Sequence, residues 1–98
     1  MKLRWTVLAQ RSRRAQINYI AERNPTAAIR LNGEIDSQID DLYDHPMMGR
    51  AGRVQGTREL VISRTPYLAI YRLDPGEAVI LRVIHHLQRW PPRPRKRR

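Results

Sequence analysis

The sequence predicts an α+β fold, with two N-terminal helices packed on one face of a small, largely antiparallel sheet, in the order β-α-α-β-β-β. Three observations predict it. Leu3, Trp5 and Val7 alternate with Lys2, Arg4 and Thr6, the period-two pattern of a half-buried strand. Ala28, Leu31, Ile35, Ile39 and Leu42 recur every three or four residues and form one apolar helical stripe. The second half is rich in β-branched and aromatic residues, broken into short runs by turn residues.

The first helix is expected from about Leu8 to Arg23, where Leu8, Ala15, Ile17 and Ile20 are spread among Gln and Arg. Asn24-Pro25 punctuates the chain: Asn caps the next helix, and Pro fits its first turn, where the missing N–H is not needed. The second helix ends at His45-Pro46, because the residue before proline avoids the helical region. Glu34, Asp36, Asp40, Asp41 and Asp44 read as its solvated acidic face. Met47 to Gly56 reads as a loop. Arg58–Arg64 and Tyr67–Arg72 read as strands separated by Thr65-Pro66. Turn chemistry at Leu73-Asp74-Pro75-Gly76-Glu77 predicts a hairpin joining Tyr67–Arg72 to Ala78–His85. Ala78–Ile84 is apolar on both faces except for Arg82, as suits a central strand.

With 98 residues the chain is expected to form one domain over 1–90, followed by a basic, disordered arm over 91–98 with five basic residues in eight. There is no cysteine, which excludes disulfides, thiolate metal sites and cysteine nucleophiles and suits a reducing cytoplasm. No apolar run approaches the roughly 18 residues of a membrane span. The start, Met1-Lys2-Leu3-Arg4-Trp5, lacks the apolar stretch of a signal peptide. A soluble cytoplasmic domain is the expectation. Charge is distributed unevenly: residues 1–48 carry a net +1 and residues 49–98 a net +9. Such a half suits a polyanion or an acidic protein. Arginine supplies seventeen of the nineteen positive charges, and its planar fork suits phosphate and carboxylate.

No phosphate-binding glycine loop, metal-ligand spacing or Ser–His–Asp order is evident, so no metal and no cofactor are expected. What remains is a set of arginines on a sheet with a histidine at the end of its last strand. Arg50, Arg53, Arg58, Arg64, Arg72 and Arg82 fall within 33 residues and are expected to be gathered by strand pairing around a phosphate. His85 is the candidate acid or base, against a structural strand-end role; His86 reads as structural. Glu59 is the nearest carboxylate base, although a pair with an adjacent-strand arginine is the simpler reading. Tyr67, Tyr71 and Trp90 are candidates to stack on bases, core or edge packing being the alternative.

Several of these residues carry a family resemblance. Gly56-Thr57-Arg58-Glu59-Leu60-Val61-Ile62, then Pro66-Tyr67-Leu68-Ala69-Ile70-Tyr71-Arg72, then Ile80-Leu81-Arg82-Val83-Ile84-His85 with Gln88 and Trp90-Pro91 resemble the RelE/ParE toxin superfamily, in its plasmid-stabilisation branch. Tyr19–Glu22, Asn24-Pro25, Ala27-Ala28 and Pro46–Arg50 match it as well. The resemblance implies the toxin of a type II toxin–antitoxin system, which arrests growth and is neutralised by a cognate acidic antitoxin that alone contacts operator DNA. It implies two targets: the ribosome and its mRNA, cut without metal, or DNA gyrase, inhibited without catalysis. The favoured expectation is ribosome-dependent mRNA cleavage, with His85 as acid or base and Arg58, Arg72 and Arg82 on phosphate. The alternative is a gyrase inhibitor. Arg50, Arg53, Arg64, Tyr67, Tyr71 and Trp90 are then expected to bind RNA, phosphate or the antitoxin. One departure stands out: the only lysines are Lys2 and Lys96, whereas the best-known ribosome-dependent nucleases use several.

Overall fold

A computed structural model describes residues 1–92. The elements are β1 (Lys2–Trp5), α1 (Val7–Ala21), α2 (Pro25–Asp40), a 3₁₀ turn (Asp41–Tyr43), β2 (Arg50–Ala51), β3 (Arg58–Val61), β4 (Tyr67–Asp74) and β5 (Glu77–His85). One five-stranded sheet runs in the order β1-β5-β4-β3-β2. β1 lies parallel to β5 and every other pair is antiparallel, so the sheet is mixed, with the predicted antiparallel majority. No helix among the described residues is long and apolar enough to cross a membrane.

Several boundaries differ from the expectation: α2 ends at Asp40, with the 3₁₀ turn before His45-Pro46, β3 ends at Val61 short of Arg64, and three more differences have a plain local reason. Val7 opens α1 instead of closing β1, because Thr6 adopts an extended backbone and its Oγ1 accepts the Ala9 N–H at 3.0 Å. The short strand β2 forms inside the predicted loop by pairing Arg50 with Glu59 and Ala51 with Arg58. The hairpin turn shrinks to Pro75-Gly76, with Gly76 at φ +75°, since Asp74 and Glu77 themselves pair across the strands. Asn24 caps α2 as expected, its side chain accepting the Ala27 N–H at 3.0 Å, with Pro25 in the first turn.

Both helices cover one face of the sheet. There Leu31, Ile35, Ile39 and Leu42 meet Leu60, Ile62, Ala69, Tyr71, Ala78, Ile80 and Val83 in the main core. Full burial of each large aliphatic side chain contributes about 1.5–3 kcal/mol. The far face carries a smaller cluster of Leu68, Ile70 and Ile84, with Leu81 and Trp90 packed against it.

One irregularity decides where Arg82 points. Ile70 pairs with Arg82, but the next residue, Tyr71, pairs with Ile80, so Leu81 is an extra residue in β5. Ala78 and Ile80 face the helices before this bulge, and Val83 faces them after it. Arg82 therefore shares the far face with Ile70, clear of the core that unbroken alternation would have put it in. The bulge is held from the helix side: Ser12 Oγ on α1 accepts the Val83 N–H at 2.9 Å.

Candidate functional site

Side-chain direction follows from register, since directly paired residues point to the same face. His85 pairs with the core residue Tyr67, and Arg58 pairs with the core residue Tyr71, so both belong to the helix-covered side. Arg82 pairs with Ile70, and Arg72 lies two residues beyond Ile70 on β4, so both belong to the far side. The four residues expected to surround one phosphate are thus divided between the two faces of the sheet. This corrects the expectation that strand pairing would gather them.

Most of these cations also have intramolecular partners. Arg58 Nε donates to the Gly49 carbonyl and its Nη2 to the Met47 carbonyl, both at 3.0 Å. The Tyr71 hydroxyl donates to the Pro46 carbonyl at 2.7 Å and accepts the Gly49 N–H at 2.9 Å. Arg58 and Tyr71 together pin the segment leading into β2. A side chain at position 49 would set its Cβ 2.6 Å from the Tyr71 ring, so glycine is required there for close approach. Arg72 Nε donates to Asp74 Oδ1 at 3.1 Å. Arg64, at φ +65° between β3 and β4, forms a two-pronged pair with Glu34 on α2. The Arg64 guanidinium lowers the pKa of Glu34, and Glu34 in turn raises that of Arg64.

Glu59 is the one buried charged residue among the described residues. Its carboxylate accepts from Arg50 Nη2 at 3.2 Å and from the Arg53 backbone N–H at 3.0 Å, and lies 3.5 Å from Arg53 Nε. Burial opposes its ionisation, but the Arg53 N–H and the Arg50 guanidinium outweigh that and hold its carboxyl below the usual value. Both of its oxygens are occupied. Glu59 serves as the anchor that turns Arg50 and Arg53 outward, leaving both guanidinium groups exposed.

The terminal histidine sits in a small aromatic group. His85 meets Tyr67 edge-on at 5.9 Å between ring centres and stacks on His86 at 4.6 Å. His85 Nδ1 accepts the Leu87 N–H at 3.1 Å, in the turn following β5, and His86 Nδ1 lies 3.1 Å from the Pro66 carbonyl, just before β4. Tyr67 is buried and its pKa is raised by that burial; Tyr71 is fully buried. Neither can offer a ring face to a base, which corrects their assignment as binding residues. Burial in a tightly packed core explains both cases. Trp90 is half-buried on Leu68, Ile70 and Ile84, with the Arg82 guanidinium 5.9 Å from its ring centre. Of the expected basic arm, residues 93–98 lie outside the described residues.

Arg13 drew no attention in the sequence, yet it is an organising cation. It bonds Asn32 Oδ1 through Nε and Nη2 at 2.9 and 2.7 Å, pairs with Asp36 at 2.5 Å and lies over Trp5, tying α1 to α2 and β1. Its partners are 19 and 23 residues away or on another element, so no local pattern marks it.

The chain is similar to known proteins along nearly its whole length. Residues 3–90 match the model of a family described as the ParE toxin of type II toxin–antitoxin systems. A Sinorhizobium fredii protein bearing the description "Putative toxin Y4kP" is 39% identical over 90 residues, covering 92% of this chain and 93% of its own. Among solved structures, a chain of the chromosomal ParDE system from P. aeruginosa aligns with a TM-score of 0.78 at 28% identity, over 87% of this chain and 95% of the other. A chain of the RelBE2 toxin–antitoxin complex from Mycobacterium tuberculosis aligns at 0.57 and 26%, over 86% and 95%. Two helices on one face of this mixed sheet, with an arginine-rich second half, define a toxin of the RelE/ParE superfamily. Within it, the chain belongs to the ParE toxin family of type II toxin–antitoxin systems.

Proposed function

We propose that this toxin arrests growth by binding DNA gyrase, without cutting RNA, and that a cognate acidic antitoxin restrains it. One observation carries the choice of mechanism: His85 and Arg58 lie on the opposite side of the sheet from Arg72 and Arg82. RNA cleavage through a 2′-hydroxyl needs a base, an acid and a cation around one phosphorus atom. Residues on opposite faces of a sheet cannot supply that without repacking the core. In addition, Arg58 is committed to two backbone carbonyls and Arg72 to Asp74. The closer superposition on the ParDE chain than on the RelBE2 chain favours the same reading. An acidic antitoxin is supported by the net +9 of residues 49–98 and by the exposed guanidinium groups of Arg50 and Arg53.

The test pairs two assays of the purified protein. Gyrase supercoiling is expected to fall as the protein is added, and mRNA in a translating extract is expected to stay intact. His85→Ala is expected to arrest growth as the parent does. Codon-positioned mRNA breaks that vanish in His85→Ala would overturn the proposal in favour of the nuclease.

A further inference from the structure

The distribution of unpaired acid is the least expected feature of this basic chain. It has nine carboxylate side chains and nineteen Lys and Arg. Six of the nine lie within 4.0 Å of an arginine: Glu22, Glu34, Asp36, Glu59, Asp74 and Glu77. The other three, Asp40, Asp41 and Asp44, have no ion pair among the described residues, are all exposed, and fall within one turn at the end of α2. Three large apolar side chains stand exposed in the same stretch: Tyr43 at 55%, Met47 at 63% and Met48 at 45%. Asp44, His45, Pro46, Met47 and Met48 line a shallow cleft there, and Asp41 and Met48 also border the neighbouring cleft that holds Arg50 and Arg64.

Exposed methionine and tyrosine are the side chains that protein interfaces favour, and methionine adapts its shape to a partner. Here they stand on a rigid base. The backbone from Pro46 to Gly49 is held by the Tyr71 hydroxyl and by Arg58, and His45 and Met48 close successive turns through Asp41 and His45 carbonyls. A surface ordered before binding loses little entropy when a partner seats on it.

We propose that the turn Asp40–Met48 is a docking surface for a basic, apolar segment of the toxin's protein target. This rests on the reading of the chain as a toxin that acts by binding. Charge complementarity selects the occupant: three carboxylates without an ion pair among the described residues, around an apolar centre, favour Lys or Arg beside aliphatic side chains. The chain's overall +10 repels such a partner at a distance, but beyond a Debye length of about 8 Å that repulsion is screened, so recognition is decided by contacts close to the turn.

Two variants of the full chain test this, Asp40→Asn/Asp41→Asn/Asp44→Asn and Met47→Ser/Met48→Ser, each expressed with and without the antitoxin. All five positions are exposed, so the fold is expected to survive; if the methionine pair lowers stability, Met47→Gln alone replaces it. The expected result is native circular dichroism, undiminished co-purification with the antitoxin, and at least about tenfold weaker growth arrest, equivalent to about 1.4 kcal/mol of target affinity. Folded variants that arrest growth like the parent would overturn the proposal. So would loss of antitoxin co-purification, which would give the surface to the antitoxin, or a parent oligomer that both variants reduce to monomer, which would give it to a second copy. Growth arrest does not presuppose which target is bound. A parent inactive on gyrase, with arrest still lost in the variants, would refute the gyrase reading and leave the docking surface standing.

Discussion

Removing one oxygen atom tests how the exposed turn is held. In Tyr71→Phe the ring keeps its place in the core, but the Gly49 N–H and the Pro46 carbonyl both lose their partner. Each such bond contributes about 1 kcal/mol net, and a buried group left without a partner costs about 1–3 kcal/mol. Gly49 is buried, whereas Pro46 is half-buried and can turn partly to water, so the two losses together come to about 2 kcal/mol. For a domain of this size that corresponds to a fall in Tm of about 8–16 °C. Urea unfolding followed by the fluorescence of Trp5 and Trp90 gives the difference directly, and an unchanged m-value would show that the denatured state is the same. A loss below about 0.5 kcal/mol would refute the reasoning, since water would then replace the hydroxyl at no cost. Growth arrest is expected to weaken along with stability, because the same two bonds order the segment that carries Met47 and Met48.

Three further outcomes are expected. Ser12→Ala leaves the Val83 N–H without an acceptor at the bulge and should cost about 1–3 kcal/mol in urea unfolding. Gly76→Ala puts a side chain at φ +75° and should cost about 1 kcal/mol by the same measurement, with no change in antitoxin binding. Glu59→Gln tests linkage. The pKa of Glu59 is lowered in the fold, so its contribution is complete above its ordinary value of 4.5 and disappears as pH falls through the lower folded value. The variant should therefore be about 2 kcal/mol less stable than the parent at pH 7, with the gap closing in the acid range below 4.5. A gap that stays constant down to pH 3 or so would contradict the assigned ion pairs.

Much of the architecture was legible because it depends on near neighbours in sequence. The apolar stripe from Ala28 to Leu42, the Asn24-Pro25 start of α2 and the Pro75-Gly76 turn are local patterns with local causes. The parallel seat of β1 beside β5 was not legible, since Lys2 meets Glu77 across 75 positions of chain. Thr6 misled for a related reason: alternation of Leu3, Trp5 and Val7 continues the strand, while a cap bond to Ala9 ends it. The candidate site was least legible. Leu81-Arg82-Val83 carries no mark of a bulge, and one uncounted residue moves a guanidinium from one face of the sheet to the other. The acidic face of α2 reads as uniformly solvated in the sequence, yet Glu34 and Asp36 pair with Arg64 and Arg13, and among the described residues only the three aspartates at its end do not.

The bulge also fixes how β5 can change over generations. A substitution at Leu81 alters one half-buried side chain on the margin of a small cluster. Deletion of that single codon would restore strict alternation and set Arg82 directly after Ile80, with Arg82 still opposite Ile70 on the far face and Val83 still in the main core. Position 81 is thus spare in facing as well as in composition, and descendants of this chain are expected to vary or lose the residue at 81 while keeping Arg82 opposite Ile70.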